Sequence, residues 1–222
     1  MKICGIDEAG RGPVIGPIVI ACAVFDSKGR EKLKKLKVKD SKRISSKRRV
    51  ELEEKIKSIA LEWNLVKIYP KEIDRLRKKL SLNLVEAIYI SELILSLNSK
   101  PEKIILDSPD AIEDNFKNKI VGYLLAHGYE IPKIISENKA DDRYIEVSAA
   151  SILAKVERDR EIDILKEKYG LCCGSGYPSD EVTRKFLNEL KLKSKNNGEL
   201  PEFVRKSWNT MKRNRQRKLL EY

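Results

Sequence analysis

Two carboxylates stand side by side at Asp7 and Glu8, directly after the apolar run 1–6, and Gly10-Arg11-Gly12 follows them. Like charges on neighbouring positions repel and cost desolvation at a buried strand end, and a divalent cation with oxygen ligands offsets both penalties. A polar turn after an edge strand would account for a bare Asp-Glu pair. The Gly-Arg-Gly adds what such a turn does not need: glycines let backbone N–H groups approach a ligand, and arginine suits phosphate. Lys103-Ile104-Ile105-Leu106-Asp107 repeats the logic of an apolar run ended by an acid, and Asp141 lies beyond a third strand pattern at 130–136. Asp7, Glu8, Asp107 and Asp141 together form an oxygen-only donor set without histidine. That set favours Mg²⁺ or Mn²⁺, and two such ions about 4 Å apart would activate water and stabilise a leaving oxygen in phosphodiester cleavage. Zinc is poorly supported, because His127 is the only histidine and Cys4, Cys22, Cys172 and Cys173 show no C-x-x-C spacing. The cysteines are expected to be reduced, with Cys4 and Cys22 as small core residues.

Positioning these acids falls to a recognisable order of elements. Strand patterns at 1–6 and 14–25, joined by the glycine-rich turn, read as a hairpin, and 31–42 is a basic segment. Ser45 caps a predicted helix over 46–63. A strand at 65–69 follows, then a charged helix over 73–79 and a strongly apolar one over 82–97. The strand ending at Asp107, a helix over 111–127 and the strand at 130–136 give strand, helix, strand order. The expected class is therefore α/β, with a mixed or parallel sheet carrying helices on its faces. Asp142 is expected to cap the long pattern over 144–169, in which Ser148-Ala149-Ala150-Ser151 supplies small side chains for close backbone approach. A short helix over 180–190, a polar connection over 191–201 and a basic helix over 203–219 complete the chain.

The bulk composition narrows the partners. In 222 residues, 46 Lys and Arg face 34 Asp and Glu, a net charge of +12 that favours a polyanion, and nucleic acid in particular. The longest apolar run, 14–25, is too short to cross a bilayer, and Asp7, Glu8 and Arg11 occupy the place where a signal peptide needs its apolar region. A soluble, cytoplasmic protein with no membrane role is expected. The length suits one catalytic domain over 1–170 and an appended element over 171–222.

Read together and in order, Asp7-Glu8-Ala9-Gly10-Arg11-Gly12, Lys39-Asp40-Ser41-Lys42, Leu106-Asp107-Ser108-Pro109-Asp110, Lys139-Ala140-Asp141 and 148–156 closely resemble ribonuclease HII, and Gly174-Ser175-Gly176-Tyr177 fits as well. The resemblance implies a ribonuclease H-like fold, with a five-stranded mixed β-sheet flanked by helices and a helical C-terminal extension. It also implies an endonuclease that cuts the RNA strand of RNA–DNA hybrids and nicks duplex DNA on the 5′ side of embedded ribonucleotides, leaving 5′-phosphate and 3′-hydroxyl ends. By matching positions, Asp7, Glu8, Asp107 and Asp141 become catalytic, metal-binding residues, with Asp141 preferred to Asp142 because it directly follows Lys139-Ala140. The backbone of Gly10, Arg11 and Gly12 is assigned to the ribose 2′-hydroxyl, and Tyr177 to the sugar on the 3′ side of the cut. Lys42 and Lys155 are candidate phosphate contacts. Taken outside the resemblance, Tyr177 reads as an ordinary loop aromatic and the lysines as solvated side chains. Family members often carry histidine where Asn138 stands.

At the C-terminus, Gln216, Leu219 and Tyr222 have the spacing of a sliding-clamp-binding motif, and the last turns of a basic helix explain the same residues equally well. A monomer is expected. Ribonuclease HIII shares these motifs, and a basic nucleic-acid-binding or clamp-associated protein without catalysis is the alternative from another class. That alternative predicts carboxylates missing or unneeded, whereas all four are present.

Overall fold

The computed structural model describes residues 1–38, 45–170, 172–197 and 199–211. Lys42, Gln216, Leu219 and Tyr222 lie outside them. By internal contacts the chain divides into two interleaved units: Met1–Ala9, Val19–Lys67 and Ser81–Glu157 in the first, and Gly10–Ile18, Ile68–Leu80 and the chain from Arg158 onward in the second.

The first unit is built on a five-stranded sheet of order β3-β2-β1-β4-β5, formed by β1 (Ile3–Ala9), β2 (Ile18–Phe25), β3 (Glu62–Ile68), β4 (Lys103–Asp107) and β5 (Lys133–Glu137). β1 pairs antiparallel with β2 and parallel with β4, and β4 pairs parallel with β5, so the sheet is mixed as expected. All eight residues of β2 are buried, as a strand covered on both faces requires. Its alternate residues Val19, Ala21, Ala23 and Phe25 pack with Leu33 of α1 (Ser27–Leu36), Leu52 and Ile56 of α2 (Ser46–Ile59), and Ala149, Ile152 and Leu153 of α7 (Ile145–Tyr169). α4 (Leu82–Leu95) packs on α5 (Glu113–Ala126), and α5 on β5.

One contact fixes where α7 runs. A Cβ placed on Gly5 of β1 would lie 2.1 Å from the Glu146 carbonyl carbon and 2.5 Å from the Val147 nitrogen. Only a glycine lets the first turn of α7 rest on β1 there. Ile3, Ile105 and Ile135 share this side of the sheet with Ala140 of the short helix α6 (Ala140–Arg143) and Val147 of α7.

In the second unit Val14, Ile15, Ile162, Cys173, Leu187, Phe203 and Val204 form the core, with Ile15 bridged to Val204 and the Tyr169 and Phe203 rings 5.0 Å apart. α3 (Pro70–Leu76) and α8 (Glu181–Asn197) belong to it. Asp180 sits just before α8, and its carboxylate takes the Val182 N–H at 3.0 Å and the Ser175 N–H at 2.6 Å.

Several expectations change. The basic segment after β2 contains a helix, α1, begun by Asp26 accepting the Gly29 N–H at 2.7 Å. The helix expected to reach residue 63 stops at Ile59, and Trp63 belongs to β3. β2 begins at Ile18, four residues later than expected, because 14–17 turn into the second unit's core. α8 runs on to Asn197, into the stretch read as a polar connection. Residues 203–208 are not helical, because Val204 bridges to Ile15 and the Arg205 N–H donates to Val14 O at 2.8 Å. Asp142 is no cap of the long helix: it lies inside α6, its own N–H donating to Lys139 O at 3.1 Å. All four cysteines are free thiols.

Candidate active site

Register and alternation bring the acids together. The β1–β4 ladder aligns Gly5 with Ile105 and Ile6 with Leu106, so one further step sets Asp7 level with Asp107 at the ends of two adjacent parallel strands. Both lie on the sheet face that carries Gly5 and Ile105, where α6 and α7 pack. Asp141 enters from the first turn of α6. It is 5% exposed, whereas Asp142 is exposed, so burial separates two acids that composition cannot. Glu8, the next residue of β1, is half-buried, and its charge acts on Asp7.

Backbone donors orient two of these carboxylates. The Glu8 N–H donates to Asp7 Oδ1 at 2.7 Å, and the Ala140 N–H donates to Asp107 Oδ1 at 2.6 Å. The second bond depends on Lys139, which turns the chain into α6 with a left-handed φ of 56°. Asn138 adds a brace: its amide nitrogen donates to Ser108 O at 2.8 Å and Asp110 O at 2.9 Å, tying down the loop after Asp107. Asn138 in this way staples a loop beside the acids.

Asp7 is the electrostatic centre of the group. Its pKa is pushed well above the usual carboxylate range, first by burial and then by the negative charge of Glu8, with Asp107 and Asp141 adding to the push. The neighbouring Ser151 hydroxyl of α7 acts in the opposite direction. That hydroxyl is buried and makes no hydrogen bond of standard geometry. Among the described residues no three His, Cys, Asp or Glu side chains stand in a ready-made ligand geometry, so the acids feel one another's charge without forming a closed cage. The donor set still fits a hard divalent cation: four carboxylates, Asp7 and Asp141 buried, with the charges of the other three acting on Asp7. Lys155, half-buried, follows Ser151 by one turn on the same side of α7.

The second unit holds the other predicted residues. Gly10 has φ +85°, and a Cβ there would meet Pro17 O at 2.6 Å. A Cβ on Gly12 would lie 3.2 Å from Tyr177 Cε1, so the glycine lets the ring lie close to the chain. Arg158, whose guanidinium carbon is 5.6 Å from the Tyr177 ring centre, donates to Ser175 O at 2.7 Å. Sequence reasoning missed Gly5, Ser151 as the neighbour of Asp7, Arg158 and Arg205. Only the Ser-Ala-Ala-Ser run gave any local sign of one of them.

The ribonuclease HII family profile matches residues 4–211. The chain belongs to the ribonuclease HII family. It is 46% identical to ribonuclease HII of Thermococcus sibiricus over 96% of this chain and 91% of that one, and 45% identical to the Pyrococcus horikoshii protein over 96% and 92%. The crystal structure of ribonuclease H2 from Pyrococcus horikoshii superposes with a TM-score of 0.85 at 43% identity, over 100% of both chains. A PCNA:RNase HII complex from Archaeoglobus fulgidus gives 0.81 at 40%, over 94% of this chain and 96% of that one. Bst-RNase HIII in complex with Mn²⁺ shares the fold, with a TM-score of 0.79 at 22% identity, over 97% and 70%. This member of the family is thus an endonuclease that hydrolyses phosphodiester bonds, in a metal-dependent family with the ribonuclease H-like fold. The non-catalytic alternative gives way to that membership. No helix of the described residues is long and apolar enough to cross a membrane.

Proposed function

We propose that the enzyme cuts the RNA strand of RNA–DNA hybrids and nicks duplex DNA on the 5′ side of single embedded ribonucleotides. The observation that carries this is the burial of Asp7 under the charges of Glu8, Asp107 and Asp141, in a chain of the ribonuclease HII family. Asp7, Glu8, Asp107 and Asp141 would hold two ions of Mg²⁺ or Mn²⁺. When bound, the ions would supply Lewis acidity that activates the attacking water and stabilises the departing 3′-oxygen. The chain's own part is orientation: the Glu8 and Ala140 N–H groups hold Asp7 and Asp107, and the Asn138 staple keeps the intervening loop in place. The products would be a 5′-phosphate and a 3′-hydroxyl. The peptide groups of Gly10, Arg11 and Gly12 would recognise the 2′-hydroxyl and Tyr177 would pack on the neighbouring sugar. Lys42 and Lys155 would contact phosphate.

Gln216, Leu219 and Tyr222 would dock a sliding clamp, a reading supported by their spacing and by the Archaeoglobus relative found in complex with PCNA. A monomer acting in the cytoplasm completes the proposal. The test is an end-labelled DNA duplex carrying one ribonucleotide, incubated with Mg²⁺, Mn²⁺ or EDTA beside an all-DNA control. Metal-dependent nicking 5′ of the ribonucleotide with the control intact is expected. Tight binding without cleavage under either metal would overturn the reading.

A further inference from the structure

The largest fully buried side chain in the described protein is Arg205, which is 0% exposed and reaches back almost the length of the chain. Its Nε donates to Gly16 O at 2.9 Å, Nη1 to Arg11 O at 3.1 Å and Nη2 to Gly10 O at 2.6 Å. Trp208 completes the grip. Its ring lies 4.7 Å from the guanidinium carbon, and its indole N–H donates to Gly12 O at 3.2 Å. Burial, aided by the like charge of Arg158, draws the Arg205 pKa down to about 9, so the group still carries its charge at neutral pH.

Peptide planarity turns this grip into direction. None of the peptide bonds among the described residues is cis, so each carbonyl there points opposite to the N–H of the next residue. With the Gly10 and Arg11 carbonyls turned toward Arg205, the Arg11 and Gly12 N–H groups are aimed together to the far side of the loop. Pro13 contributes no N–H. A positive charge on the carbonyl end of a peptide polarises it and makes its N–H a stronger donor.

We propose that Arg205, with Trp208 in support, is a positioning residue for ribose discrimination: it aims and polarises the two peptide donors of the glycine loop. This rests on the reading that the loop recognises the 2′-hydroxyl. Lysine, a point charge without a planar fork, cannot serve three carbonyls in this geometry.

The experiment compares wild type, Arg205→Lys, Gly10→Ala and Trp208→Phe. The measured quantity is the affinity for a duplex with one ribonucleotide relative to the same all-DNA duplex, in EDTA so that neither is cut. Thermal melting of each variant is recorded in parallel. For Arg205→Lys the preference for ribonucleotide is expected to fall about 10-fold, on the scale of charge-assisted hydrogen bonds, while all-DNA affinity stays near wild type. Arg205→Lys keeping the preference that Gly10→Ala loses would overturn the inference and leave the reading of the loop standing. A wild type without preference, or a preference that survives both substitutions, would overturn that reading and the inference with it. Equal loss of affinity for both duplexes would reduce Arg205 to a structural role. Should Arg205→Lys fail to fold, Trp208→Phe decides, since it removes only the N–H held by Gly12: a preference lowered about 2- to 5-fold supports the inference, and an unchanged one overturns it.

Discussion

Asp7 is buried at 6% exposure with the charges of three other acids raising its pKa and the Ser151 hydroxyl opposing them, so its energetics depend on what neutralises it. Asp7→Asn removes a proposed metal ligand without touching a proposed phosphate contact. The expected result is a kcat lower by about 1,000-fold or more, the scale of losing a central electrostatic group, with duplex affinity in EDTA within a few-fold of wild type. Loss of affinity and of thermal stability together would contradict it. The same assay separates the neighbouring acids at the start of α6: Asp141→Asn should match Asp7→Asn, and the exposed Asp142→Asn should stay near wild type. Composition already singled out the strand-ending acids, because a charge that closes an apolar run is legible in one dimension. Arg205 was not legible, since its role depends on carbonyls about 190 residues away.

At the scale of elements, α7 rests on β1 through Gly5. Gly5→Ala forces a methyl group into the backbone of Glu146 and Val147, which should cost about 1–3 kcal/mol or more in thermal or denaturant unfolding. It should also lower kcat, because the first turns of α7 carry Ser151 toward Asp7; a variant with wild-type stability and rate would refute the contact. In the other unit, Ser175 N–H and Oγ, with the Val182 N–H, hold the Asp180 carboxyl down to about 2 from a usual 3.8. A depressed carboxylate contributes stability that is present above its unfolded pKa and lost as pH falls through the folded one. The melting difference between wild type and Asp180→Asn should therefore be constant above about pH 4 and shrink toward pH 2. Helix α1 escaped sequence reasoning because only Gly29 and Leu33 of its ten residues are buried, leaving no apolar stripe to recognise. The 203–208 stretch misled for the opposite reason: helical periodicity gave way to pairing of Val204 with Ile15 and to the demands of Arg205.

For the whole molecule the net charge of +12 sets the ionic behaviour. Binding that displaces counterions from a duplex weakens steeply with salt, so KM should rise about 10-fold or more between roughly 50 and 200 mM salt while kcat at saturation changes little. A flat KM would remove the polyanion argument drawn from composition.

The interleaving of the two units carries a consequence for how the enzyme comes into being. Gly10 and Arg11 leave the ribosome about 190 residues before the guanidinium of Arg205 that grips their carbonyls. Contacts so distant in sequence form late. A nascent chain can therefore gather Asp7, Asp107 and Asp141 while the glycine loop still lacks its brace. Where that brace aims the loop at ribose, as proposed, discrimination is acquired only after the carboxylates have gathered, and translation that stops before residue 205 would forfeit it.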